Sequence, residues 1–189
     1  MIDILRQHII NRLEKDANNI EHVLTFFSPI QLNRNEYLVR EGDVCKQVYF
    51  IAKGCLQVFV YDQNMNETTR DIVTEGTWCS ELLSFGTGNP STENIKVVEP
   101  CELLAIDRNG FQTLMETVPE FSRVYKQILE TSYANSVYRI NSFVSLSALD
   151  RIKWLMEKRP HLMTRVSSKL IASYLGINKD VYSRLKAKL

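Results

Sequence analysis

"YFIAKGCLQVFVYD", residues 49–62, is built from two runs of β-branched, aromatic and other apolar residues that meet at Gly54. In its second half Leu56, Val58 and Val60 alternate with Gln57, Phe59 and Tyr61, the two-residue period of a strand. The overlapping "DQNMNE", residues 62–67, is rich in the side chains that close a hairpin. Working outward, "QVYFIAKG" at 47–54, "ENIKVVEP" at 93–100 and "CELLAID" at 101–107 have the same texture, short β-rich runs punctuated by glycine or proline. Several such strands between Ile30 and Asp107 predict a sandwich or barrel.

On both sides the pattern becomes helical. Residues 2–27 favour helix, with Ile2, Leu5, Ile9, Leu13 and Ile20 at helical spacing. "DRNGFQTLMETVPEF", residues 107–121, returns to helix, and Pro119 suits the first turn of a long one. Phe121, Tyr125, Leu129, Tyr133, Val137, Ile140 and Val144 then recur every three or four residues, an apolar stripe of roughly seven turns at 3.6 residues per turn. Such a stripe can pack on the β-rich region or form the seam of a two-fold dimer. Its place between the two ends of the chain fits a dimer seam joined to a linker better.

At the far end, "IASYLGINKDVYSRL", residues 171–185, divides at a glycine. Ile171, Ala172, Tyr174 and Leu175 form an apolar stripe preceded by the N-cap candidates Ser167 and Ser168, and Gly176 supplies the positive φ that ends a helix. Ile177 buries in the turn, and Asn178 caps a second helix with Val181, Leu185 and Leu189 inward. Lys179, Asp180, Ser183, Arg184, Lys186 and Lys188 are left outward. This is the pattern of a helix-turn-helix, or of a plain helical hairpin with a solvated charged face.

Charge separates these two readings. The chain has 189 residues, 44% hydrophobic and 24% charged, an ordinary globular composition for one large domain or two modest ones. Its net charge of +1 conceals an asymmetry: residues 146–189 hold ten Lys or Arg against three Asp or Glu, whereas residues 1–145 hold 13 against 19. An acidic body with a basic end suits a polyanionic partner, which favours the helix-turn-helix. Cys45, Cys55, Cys79 and Cys101 show no C-x-x-C pair and read as reduced core thiols. "MIDILRQHIINRLEKD" carries charges throughout, unlike a signal peptide, and no apolar run reaches membrane-spanning length, so a soluble, cytoplasmic protein without membrane contact is expected.

The order of N-terminal helices, β-roll, long helix and terminal helix-turn-helix resembles the Crp/Fnr family of bacterial transcription regulators. The resemblance runs from about Ile20 to Leu189 and rests most on "YFIAKGCLQVFVYD", on "SEL" at residues 80–82 and on the C-terminal motif. It implies an α+β fold: a cyclic-nucleotide-binding-like β jelly roll over 1–118, a long linker and dimerisation helix over 119–145, and a small helix-turn-helix domain over 146–189. It further implies a homodimer on double-stranded DNA, with RNA polymerase and a small-molecule effector as further partners. Phe121, Tyr125, Leu129, Tyr133, Val137, Ile140 and Val144 would form the dimer interface.

The family's phosphate-binding cassette resembles Gly-Glu-Leu followed some nine residues later by Arg-Ser. Here Ser80, Glu81 and Leu82 fill the first three places, and Ser91 and Thr92 stand where Arg and Ser would. Glu81 retains a carboxylate for a ribose hydroxyl, but the cationic partner of a cyclic phosphate is missing. Burying that phosphate unpaired is costly, so the pocket is expected to be degenerate and to reject cyclic AMP, leaving a neutral effector or none. With no cysteine before Cys45, an iron–sulfur cluster like that of the oxygen-sensing branch is not expected, and no other cofactor is.

In a helix-turn-helix the second helix enters the major groove N-terminus first. Asn178, Lys179 and Asp180 would reach deepest, with Ser183 and Arg184 a turn behind and Lys186 and Lys188 near the backbone. Arg184 could take guanine O6 and N7. Asp180 corresponds to a glutamate that accepts from cytosine in similar proteins, and is one methylene shorter. Ser167, Ser168 and Lys169 would hold a phosphate at the start of the first helix. The chain stops at "SRLKAKL" without the β-hairpin wing of many family members, so backbone grip is expected from helix ends and the basic tail.

Two other functions fit parts of this pattern. A metal-dependent cupin enzyme shares the jelly roll but needs histidines inside it, and His8, His22 and His161 all lie outside the β region. An enzyme and a metal site are therefore not expected. A cyclic-nucleotide-binding-like module that acts through protein contacts or a non-nucleotide ligand, without DNA, is the alternative that the basic C-terminal segment disfavours.

Overall fold

A computed structural model of the chain describes residues 1–13 and 19–189. In chain order the elements are α1 (Ile2–Leu13), α2 (Ile20–Leu24), β1 (Ser28–Leu32), β2 (Tyr37–Val39), β3 (Gln47–Tyr61), β4 (Glu67–Thr74), β5 (Trp78–Cys79), α3 (Leu82–Thr87) and β6 (Asn94–Asp107). They are followed by α4 (Arg108–Thr117), α5 (Pro119–Ser145), α6 (Ala148–Lys158), α7 (Leu162–Arg165), α8 (Ser168–Leu175) and α9 (Lys179–Lys186). This is the expected α+β class. The helix expected over 2–27 is divided into α1 and α2, and its residues 14–18 lie outside the described ones.

The strands form one sheet in the order β1-β6-β3-β4, with β2 paired to β6 and β5 to β3. β1 runs antiparallel to β6, from Ser28 opposite Ala105 to Leu32 opposite Cys101. The short runs of the sequence reading are halves of long strands: "QVYFIAKG" and "CLQVFVYD" are both β3, and "ENIKVVEP" and "CELLAID" are both β6. Gly54 is therefore a bend within a strand, at φ +105°, rather than a break between two. A Cβ there would stand 2.5 Å from Cys101 Sγ and 2.6 Å from Pro100 O, so the close passage of β6 requires glycine. At the hairpin tip, Asp62 Oδ1 accepts from the N–H of Asn64 and of Asn66, and Met65 adopts φ +62°.

The chain resolves into two compact units, residues 1–58 with 72–130, and residues 59–71 with 131–189. In the first, Phe50, Ile51, Leu56, Val58, Ile95, Val97, Leu103 and Ile106 fill the sheet core together with Leu5 and Ile9 of α1 and Leu114 of α4. Each such large side chain contributes about 1.5–3 kcal/mol on burial. In the second, Ile152, Leu155, Leu162, Leu170, Ile171, Leu175 and Tyr182 are buried. The second unit takes in the hairpin tip and residues 131–145, which the sequence reading placed in the first domain and the linker. Among the described residues no helix is long and apolar enough to cross a membrane.

Candidate nucleic-acid interface and effector cassette

Both helices of the C-terminal motif begin on the expected caps. Ser167 accepts from the Leu170 N–H at 3.2 Å, and the Asn178 side chain accepts from the Asp180 N–H at 2.7 Å. α8 ends in a Schellman turn: Ile177 N–H reaches Ala172 O at 3.0 Å, Gly176 N–H reaches Ser173 O at 3.1 Å, and Gly176 sits at φ +64°. A side chain at Gly176 would also strike Phe143, whose Cε1 lies 2.6 Å from the position of a Cβ. Arg151 of α6 donates to Leu175 O at 2.7 Å and caps the last turn, a role that nothing local in the sequence announces.

The anchor of α9 differs from the expected one. Tyr182 is fully buried, Val181, Leu185 and Ile177 are only partly covered, and Leu189 is 51% exposed. Tyr182 stands three residues before Leu185, so it belonged to the same stripe, and that spacing was the available signal. With the ring inward, Lys179, Asp180, Ser183, Arg184, Lys186 and Lys188 are all exposed, as are Asn178 and Ser167, Ser168 and Lys169 at the start of α8. A mainly cationic set of exposed side chains at and beyond the N-termini of two helices is suited to an anionic backbone and to hydrogen-bonding base edges.

Ser80 and Glu81 immediately precede α3 and Leu82 opens it, and the polar side-chain atoms of Ser80, Glu81 and Ser91 are engaged within the chain. Glu81 is the N-cap of α3 and is buried, its carboxylate accepting from the Leu83 N–H at 3.2 Å and the Ser84 N–H at 2.7 Å. Ser80 donates to Gln47 O at 3.0 Å. Ser91 is buried, with its hydroxyl between the Glu93 carbonyl at 2.8 Å and the Glu93 N–H at 3.1 Å. Leu82 and Thr92 are exposed. The guanidinium of Arg108 is set at the other end of α3, donating to Ser84 O at 3.1 Å, where it complements the carbonyl end of the helix. An open groove of about 350 Å³ lined by Leu38, Val39, Asp43, Val44, Lys46, Gln47 and Tyr49 adjoins the cassette, since Ser80 donates to Gln47 O and the Ser91 N–H donates to Asp43 O at 2.8 Å, although none of the five cassette residues lines it.

The long stripe divides in two. Phe121 is 2% exposed and packs edge-on to Phe111, as does Tyr125, so these two face the chain's own core. Phe121 has no surface left for a seam, a correction to the expected interface. From Leu129 onward the stripe is uncovered: Tyr133 is 73%, Ile140 62% and Val144 83% exposed, and Leu129 and Val137 are each 36% exposed.

Residues 29–118 match the family model described as "Cyclic nucleotide-binding domain", which defines the class of the β-rich region. The cAMP-activated global transcriptional regulator CRP of Pasteurella multocida is 22% identical over 158 residues, 78% of this chain and 76% of that protein. Among solved structures, the c-di-GMP responsive global regulator CLP of Xanthomonas campestris matches with a TM-score of 0.73 and 21% identity over 92% of this chain and 91% of that one. FixK2 of Bradyrhizobium japonicum matches with a TM-score of 0.73 and 13% identity over 86% and 84%. These structural likenesses show the fold, and the relative from Pasteurella multocida is a transcriptional regulator.

Proposed function

We propose that this chain is a homodimeric DNA-binding regulator that reads a two-fold operator with α9 and whose cassette takes no cyclic AMP. The observation that carries the reading is α9 itself, N-capped by Asn178 and pinned by Tyr182 with its whole polar and basic face outward. The charge asymmetry of the chain and the uncovered strip from Leu129 to Val144 support DNA and a second copy as partners. The engaged polar atoms of Ser80, Glu81 and Ser91 support a cassette closed on itself. A cyclic phosphate would have to displace those bonds and would find no arginine at Ser91 or Thr92. No reaction is proposed.

Selection of bound sequences from a random duplex pool tests this. A two-fold site is expected to be enriched, and to be bound equally well with and without cyclic AMP. Absence of any enriched sequence would sink the DNA-reading proposal in favour of a module acting through protein contacts. A cyclic AMP-dependent gain in affinity would overturn the closed cassette.

A further inference from the structure

β4 ends the sheet order, so among the described residues one side of it has no neighbouring strand. In the outer part of the hairpin, within the unit formed by residues 59–71 and 131–189, side chains occupy that side instead. The Ser173 hydroxyl of α8 accepts from the Thr69 N–H at 2.9 Å and donates to the Glu67 carbonyl at 3.0 Å. Arg139 of α5 donates to the Thr69 carbonyl at 2.8 Å. In a β-strand the N–H and C=O of one residue, and those two residues away, point to the same side. These three contacts therefore reproduce what a paired strand would offer, with one hydroxyl serving as both donor and acceptor.

Other helical serines behave differently. Ser136 and Ser145 of α5 donate back to carbonyls four residues earlier, the usual local choice, whereas Ser173 reaches out to a strand 104 and 106 residues away in sequence. Around it, the Arg139 guanidinium lies 4.1 Å from the ring centre of Tyr174 and 4.9 Å from that of Phe143, and Arg159 Nη1 lies 3.6 Å from the Asp71 carboxylate. Phe143 also lies against Gly176, at the turn between α8 and α9. The clasp on the strand edge thus meets the turn that aims α9.

We propose that Ser173 and Arg139 are positioning residues for DNA recognition, holding α8 on the outer edge of β4 and thereby setting the direction of α9. The role in recognition rests on the DNA-binding function proposed above, whereas the clasp itself can be measured without DNA. Spin labels at Met65→Cys and Lys188→Cys, both exposed positions, report the distance between hairpin tip and α9 in protein diluted with unlabelled chain, the four native cysteines being buried. Hydrogen exchange at the Thr69 amide reports the bond to Ser173 directly.

Ser173→Ala is expected to speed Thr69 exchange tenfold or more, to broaden the label distance, and to weaken binding to the selected duplex several-fold. Ser173→Thr, which keeps the hydroxyl, should restore all three, and Arg139→Gln should broaden the distance in the same way. Unchanged exchange and distance in Ser173→Ala would overturn the clasp. If wild-type protein binds duplex and Ser173→Ala binds it equally, the positioning role is overturned while DNA binding stands. If wild-type protein binds no duplex, the functional reading fails, and the recognition role of these residues with it.

Discussion

Trp78 Nε1–H donates to His8 Nε2 at 2.9 Å, which requires that nitrogen to be unprotonated, and the imidazole packs edge-on to Phe50. Burial, aided by the charge of nearby Arg12, pushes His8 down from its ordinary value to about 4. The unfolded chain therefore takes up a proton near pH 6.5 that the folded chain refuses until about 4. Stability from this group is complete above pH 6.5 and is lost as pH falls from there to about 4. The slope is bounded by about 1.4 kcal/mol per pH unit for one proton and is reduced by the partial exposure of the ring. Melting temperature followed over that range should fall more steeply for wild type than for His8→Gln, and parallel curves would contradict the assignment. At the other end of the chain, Arg184 and Lys186 separate reading from gripping. Arg184→Ala should cost about 1–3 kcal/mol on the preferred duplex and relax preference at one base position. Lys186→Ala should weaken all duplexes alike and lower the salt slope by about one unit per phosphate contact. Binding isotherms on preferred and scrambled duplexes at several salt concentrations distinguish them, and an unchanged preference ratio in Arg184→Ala would remove it from the base-reading set.

At the scale of elements, Tyr182 shows how packing selects among candidates that periodicity treats alike. Its ring is fully buried on α9, a helix that packs against α6 and α8, while its hydroxyl is buried with no hydrogen-bond partner among the described residues. Tyr182→Ala should destabilise by about 3–5 kcal/mol. Tyr182→Phe should be neutral or stabilising by up to about 1–3 kcal/mol, because the desolvation cost of the hydroxyl is removed. Chemical denaturation of the two variants checks this, and equal losses would mean that the hydroxyl is satisfied. The helix caps, the αL glycine at 176 and the hairpin at 62–66 were legible beforehand, since each depends on residues within one turn of each other. The continuity of β3 through Gly54 was not. Glycine in a run of strand residues signals both a turn and a bend, and only the passage of Cys101 and Pro100 against it selects the bend.

For the molecule as a whole, the uncovered strip on α5 predicts a dimer that Leu129→Glu with Val137→Glu takes apart. Each replaced side chain would forfeit about 1.5–3 kcal/mol of burial and bring like charges together across the two-fold axis. Sedimentation should show monomer for the double variant, and a persistent dimer would place the seam elsewhere. Phe121 and Tyr125 repeat with the same spacing yet turn into the chain's own core, because Phe111 of α4 meets them there. By itself the sequence determined the order of β-roll, long helix and helix-turn-helix, the charge asymmetry and the departure of the cassette at Ser91 and Thr92, all carried by local period, composition and residue identity. Only the tertiary structure decided that Glu81 and Ser91 spend their polar atoms inside the cassette, that Tyr182 anchors α9, and that Ser173 and Arg139 take the edge of β4. The physical reason is that hydrogen-bond partners and burial are set by approaches between residues as much as 106 apart in the chain, for which the sequence carries no local signal.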